Sequence, residues 1–219
     1  MLNSCDNNSL FQKDMSEGRI VYEISYPEID SNNLMLEMLP DRMEMKFKDN
    51  KYRTELKTAA GIIEMAVVAD GPNQMMYNLI KIFSDRFVLP RNKKEAIEMT
   101  NALPPFQLTK MNEIDTVAGA VCQKYLLDFG KSENANYTFS ATQEIMIDNP
   151  NWCTPYYEIP GLLLDYRIEN YGMNMHLRAV SIIEEEIDDD EFVIDDRYET
   201  LNKKEFDDLI VKNMEIFLE

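Results

Sequence analysis

The sequence predicts a mainly β fold with a few helices (α+β), built as a curved antiparallel sheet that forms an open half-barrel. Three observations carry that prediction. Apolar and polar residues alternate at period 2 in segment after segment, Asp/Asn/Gly/Pro turn signals separate those segments at hairpin spacing, and few stretches carry helix signals. Residues 162–179 are the clearest case. Leu162, Leu164, Tyr166 and Ile168 alternate with Leu163, Asp165, Arg167 and Glu169; beyond Asn170, Tyr171 and Gly172 the period returns in Met173, Met175, Leu177 and Ala179. Two antiparallel strands with a shared apolar face satisfy this pattern.

The other elements follow in chain order. Ile20, Tyr22, Ile24 and Tyr26 form the apolar side of a first strand, and residues 32–40 read as a short helix or loop ended by Pro40. Met43, Met45 and Phe47 alternate with Arg42, Glu44, Lys46 and Lys48, Asp49 and Asn50 turn the chain, and Tyr52, Thr54 and Leu56 alternate with Arg53, Glu55 and Lys57. This is a second hairpin. Strands are expected at 61–69 and 74–83 around the turn Asp70, Gly71, Pro72 and Asn73. Residues 92–103 read as a helix capped by Asn92 and stopped by Pro104 and Pro105. Strands resume at 106–112, 117–129 and 136–147. Asn202 and Glu205 have capping-box spacing, ahead of a closing helix with Phe206, Leu209, Ile210, Met214 and Phe217 along one face.

One domain is expected over residues 18–219, preceded by a flexible tether at 1–17, because neither a repeat nor a long low-complexity linker divides the 219 residues. Hydrophobic residues make up 45% of the chain, enough for a core. No apolar run approaches the roughly 18 residues of a spanning helix. Forty acidic residues against 22 basic ones give a formal net charge of −18, which disfavours nucleic acid and anionic lipid headgroups as partners. The acidity peaks at residues 184–196. That run lacks the spaced ligands and turn glycine of a calcium loop and reads as a solvated acidic edge.

Catalytic chemistry finds little footing. His176 shares its strand face with Asn174 and Arg178, and as the one histidine it leaves a Ser/His or Cys/His engine without a second candidate. Seven dispersed glycines form no phosphate loop, and Cys5, Cys122 and Cys153 share no zinc-ligand spacing with His176. No cofactor and no metal are expected. Carboxylates are too numerous for any two to be singled out, so a carboxylate-dependent hydrolase is the least favoured reading.

At the front, Leu2, Asn3, Ser4 and Cys5 fit a lipobox, with polar Asp6, Asn7, Asn8 and Ser9 behind it. The expectation is acylation of Cys5, with Met1 lying inside a longer precursor. Residues 6–17 would then be a leash of up to about 40 Å at roughly 3.3 Å per residue, held stably by two or more acyl chains. With Cys5 so used, Cys122 and Cys153 are left as either a disulfide or two buried thiols. A relaxed bridge over their loop would contribute roughly 3 to 4 kcal/mol.

Ile159, Pro160, Gly161, Leu162, Leu163 and Leu164 resemble the GLPGLI-type motif of bacterial envelope proteins, whose fold is similar to the lipoprotein carriers LolA and LolB. Asp115, Thr116, Val117, Ala118 and Gly119 through Cys122, Lys124 and Tyr125 resemble that family's strand with a glycine three residues before a cysteine. Asp188 to Phe192, Tyr198 and residues 200–206 resemble its closing strand and terminal helix. Residues 144–160 depart from the pattern, with Asn149, Pro150, Asn151, Trp152 and Cys153 where relatives carry an aromatic strand. The resemblance implies a LolA-like half-barrel in the periplasm or at the outer membrane, touching membrane only through an N-terminal lipid anchor. By analogy of fold alone it implies an apolar ligand, and it brings no catalytic residues.

The leading expectation is therefore a non-enzymatic, lipid-anchored envelope protein that holds a lipid, acyl chain or other hydrophobic ligand in its concave sheet. Its inward residues would be Met43, Met45, Phe47, Leu162, Leu164, Met173, Met175 and Leu177. Methionine is flexible and polarizable, which suits either a wall for variable apolar ligands or an irregular core. A second expectation is an interaction module that binds an envelope protein partner through a sheet edge or the Trp152, Tyr156 and Tyr157 loop.

Overall fold

The computed structural model describes residues 14–58, 61–100, 106–130, 136–170 and 173–214, and it is mainly β. In chain order the elements are β1 (Glu17–Ser25), a 3-10 turn at Leu34–Glu37, β2 (Arg42–Lys48), β3 (Lys51–Lys57), β4 (Ile63–Asp70), β5 (Met75–Ile82) and β6 (Asp85–Asn92). There follow α1 (Lys93–Thr100), β7 (Gln107–Val117), β8 (Ala120–Asp128), β9 (Tyr137–Thr142), β10 (Leu162–Asn170) and β11 (Met173–Ile183). A 3-10 turn at Asp189–Phe192, β12 (Glu199–Thr200) and α2 (Lys203–Met214) close the chain. All strands join one open sheet in the order β12, β6, β5, β4, β3, β2, β1, β11, β10, β9, β8, β7. Every pair is antiparallel except β12 with β6.

Local chemistry explains the joints. Asp49 and Asn50 both lie in the left-handed region, at φ 50° and 61°, as a two-residue hairpin turn requires and as these two residue types tolerate. Both helices open on reciprocal capping boxes. Asn92 Oδ1 accepts from Glu95 N at 3.1 Å while Glu95 Oε2 accepts from Asn92 N at 2.9 Å, and Asn202 with Glu205 repeats the exchange.

Three expected boundaries are corrected. The run expected at 117–129 is divided by a turn at Ala118–Gly119, so β7 extends to Val117, with a bulge between Lys110 and Ile114. The run expected at 136–147 ends at Thr142, where β9 gives way to a long irregular loop, 143–161. No strand is expected from the sequence at residues 85–92, where the structure places β6 with Pro90 opposite Tyr77. It sits toward the edge of the sheet, covered by β12 only at Phe87 and Val88, where proline is tolerated.

The two faces of the sheet carry different cover. One buries a continuous core from β1 to β6 and from β10 to β11, joined by Ala96 of α1 and by Phe206 and Ile210 of α2. The opposite face was expected to be wet, with residues 184–196 as a solvated edge, and here the structure differs. Residues 184–201 form a strap across it. Arg19 Nε meets Glu185 at 2.8 Å, Lys46 Nζ meets Glu191 at 2.6 Å and Lys48 Nζ meets Asp189 at 2.9 Å, while Ile187 is buried. Phe192, Ile194 and Tyr198 then pack on Val68, Leu79 and Val88. The ion pairs are partly exposed and individually weak, so apolar burial does most of the holding. Near the other end the sheet bends: Arg178 of β11 comes within 4.0 Å of Asp115 of β7, four places along in strand order.

Candidate functional site

Met43, Met45, Phe47, Leu162, Leu164, Met173, Met175 and Leu177 are all buried in the one principal core. Strand alternation puts them there: the odd-numbered residues of β2 and β11 point inward beside the even-numbered residues of β1 with which they are in register. The apolar face read from the sequence is therefore real. Its occupant is the protein itself. Loop 143–161 lays Ile145, Ile147, Trp152 and Cys153 into the same core, and Tyr156 and Ile159 into an adjoining aromatic core with Tyr125, Phe139 and Leu163.

Polar contacts fix the loop at several points. Asn50 Nδ2 donates to Asp148 Oδ2 at 3.0 Å, and Asp148 N donates to Asn50 Oδ1 at 2.8 Å. Asn151, itself buried, donates from Nδ2 to the carbonyls of Ile159 and Gly161 at 2.8 Å each, tying the two arms together. Tyr156 Oη donates to Arg167 O at 2.6 Å. At the outset of the loop Met15 forms a bridge, its N donating to Glu144 O and its O accepting from Met146 N. Two concavities flank the loop. One, of about 270 Å³, lies between Trp152, Asp148 and Asn149 and the turn residues Asn50, Gly71 and Gln74. The other, of about 510 Å³, lies between residues 143–150 and 157–161. None of the eight inward residues lines either one.

The aromatic loop also differs from expectation. Trp152 and Tyr156 are buried, and only Tyr157 of the three presents its ring to solvent. Their burial had a signal in the sequence, since 19 irregular residues holding two isoleucines before a Trp-Cys pair exceed what a solvated loop normally carries. Cys5, Phe217 and the side chain of Met214 lie outside the described residues.

Cys122 and Cys153 are free, buried thiols, so the bridge weighed from the sequence is not formed. Cys122 sits on β8 and Cys153 against β3, six places apart in strand order, where Tyr52 Oη lies 3.1 Å from Cys153 Sγ. Burial pushes the Cys122 thiol from 9.0 up to about 12 and Cys153 up to about 11. A thiol neutral in the fold but ionised in the unfolded chain favours unfolding once pH exceeds the unfolded value. Stability should thus be whole below about pH 9 and fall progressively toward pH 11 to 12, as urea midpoints across that range will register. Ellman's reagent at pH 8 should leave both thiols unlabelled in the native protein and label both after denaturation. Ready native labelling or a pH-independent midpoint would contradict this.

On the polar side of the last hairpin His176 Nε2 lies 2.6 Å from Asp165 Oδ1, and Arg178 engages the other oxygen of Asp165. Ser140 Oγ donates to Asp115 Oδ2 at 3.2 Å instead of to the histidine. The group is a cross-strand ion-pair network without an activated hydroxyl. Among the described residues no cluster of His, Cys, Asp and Glu is arranged to hold a metal. No helix among them is long and apolar enough to cross a membrane. No protein-family model matches this chain, and no curated protein matches it in sequence.

Proposed function

We propose a non-enzymatic, lipid-anchored protein of the cell envelope that holds an apolar ligand on the dry face of a LolA-like half-barrel, with loop 143–161 as the lid over that face. The motif resemblance at Ile159 to Leu164 supports the place, and the lipobox at Cys5 supports the anchor. The observation that carries the ligand is the position of Trp152 and Cys153. They come from a segment without regular structure, yet they sit on the same apolar face as the inward methionines, between two concavities. Lifting them for an acyl chain exchanges one apolar cover for another at about 25 cal/mol per Å² on both sides, so the exchange is close to balanced.

Equilibrium dialysis of radiolabelled oleate against the full chain tests this, read together with the emission of Trp152, the only tryptophan. Bound oleate should shift that emission to the red and quicken labelling of Cys153. Loosening the lid with Asp148→Ala should tighten oleate binding. No binding by either protein overturns the reading.

A second reading, an envelope protein-interaction module, is favoured by the packed state of the eight inward residues. Under it the contact surface excludes Trp152 and Tyr156, leaving Tyr157 and Met146 as the exposed apolar side chains of the loop. It gains if oleate fails to bind and Tyr157→Ala lowers the affinity of a purified partner.

A further inference from the structure

The β1–β2 connection, the β3–β4 connection and the β5–β6 turn leave the sheet at the same end, because these six strands are consecutive antiparallel neighbours. Strands lie about 4.8 Å apart, so the three tips stand in a row at intervals of about 10 Å. Each tip sends an apolar side chain into water. Leu34 is 78% exposed and Met38 42% on the first, Ile62 is 38% exposed on the second, and Phe83 is 72% exposed on the third. The last two tips are tied by Phe83 N donating to Ile62 O at 2.9 Å.

Phe83 runs against local preference twice. It occupies the first position of the two-residue turn between Ile82 and Asp85, at φ 54°, where glycine is the favoured residue and a bulky side chain is strained. Its ring is also left in solvent. Neither property helps the fold, whereas a surface that takes the ring out of water would offset both.

We propose that this end of the sheet is a docking surface for a membrane, with Leu34, Met38, Ile62 and Phe83 entering the headgroup and upper acyl region. Separate projecting tips suit a fluid layer, which admits each to its own depth; a folded partner needs one continuous patch. Lys57 and Arg86 stand beside the second and third tips, where long cations flank apolar anchors at membrane interfaces. Glu28, Asp30, Glu37 and Asp41 on the first tip and Asp85 on the third are exposed too, and the chain carries −18, so the layer it fits is electrically neutral and the contact is apolar and insensitive to salt. This surface is separate from loop 143–161 and does not rest on ligand carriage.

The test is co-sedimentation of the full chain, carrying Cys5→Ser to remove any anchor, with phosphatidylcholine vesicles. Binding should change little between low and high salt, and Phe83→Gly should weaken it by about ten- to a hundredfold, the worth of withdrawing one phenylalanine from an apolar phase. Because glycine relieves the turn, the same variant should match or exceed the parent's urea midpoint, which separates the effect from misfolding. Val193→Ser, at an exposed apolar position on the strap, should leave vesicle binding unchanged. A parent chain that does not sediment, or a Phe83→Gly chain that sediments equally, overturns the proposal. So does a Phe83-dependent protein partner with no vesicle binding.

Discussion

Gly161→Ala will destabilise the fold by roughly 2 to 5 kcal/mol, the sum of a left-handed backbone penalty and overpacking. Gly161 has φ 87°, and a Cβ there would lie 2.3 Å from the carbonyl oxygen of Thr142 and 2.9 Å from its carbon. Those are backbone atoms at the end of β9, so no side chain can swing aside. Shifting the loop would also disturb the Asn151 bond to Gly161 O at 2.8 Å, leaving that buried amide with only its bond to Ile159 O. Gly119→Ala is the control. Its φ is 88°, almost the same, yet nothing lies within 4 Å of its Cβ position, so only the conformational penalty of about 1 to 2 kcal/mol remains. Urea midpoints of the two variants measure the difference, and equal losses would mean that the close approach of loop to β9 is not the cause. The glycine of the Ile159–Leu164 motif thus has a steric reason: it lets loop 143–161 turn onto the sheet where β10 begins.

Period-2 alternation made most of the sheet legible, because each strand buries one face and alternation is the direct imprint of that burial. Both hairpins that alternate most cleanly, β2–β3 and β10–β11, are paired antiparallel with their apolar residues opposite one another. Alternation was silent where a second layer covers the opposite face. β6 and β5 place Val88 and Leu79 against the strap while Leu89 and Ile80 face the principal core, so apolar residues fall side by side at Val88-Leu89 and Leu79-Ile80 and break the period. The strap was hidden for another reason. Its acidic residues look solvated one by one, and the cations that receive them, Arg19, Lys46 and Lys48, lie about 140 residues or more away in sequence. Likewise the inward residues of the site were readable, but not what covers them. Loop 143–161 has no periodicity, and its place depends on Asn50 and Tyr52, residues from a hairpin at the other end of the chain.

Phe139→Ala will cost about 3 to 5 kcal/mol, at the upper end for a single core truncation. The ring is fully buried on β9 opposite Tyr125. It meets Tyr156 edge-on at 4.7 Å between centroids and Tyr166 at 6.4 Å, and Tyr166 in turn meets Tyr22 of β1 at 6.1 Å. This chain of rings matters because the ladder there is thin. The strand β9 has six residues, and it pairs with β10 at three positions interrupted by a bulge between Leu163 and Asp165. The attachment of β7, β8 and β9 to the rest of the sheet therefore depends heavily on aromatic packing, with edge-to-face pairs adding about 0.5 to 1.5 kcal/mol each beyond area burial. In a domain whose total stability is about 5 to 15 kcal/mol, such a loss leaves little margin. Amide hydrogen exchange should show β7 to β9 losing protection ahead of β1 to β5, a sub-global opening in advance of global unfolding. Ile114→Ala on the exposed edge of β7 should change stability by no more than about 0.5 kcal/mol. If Phe139→Ala instead costs as little, or if protection falls uniformly along the sheet, the rings are filler and the short strand ladder alone holds this end in place.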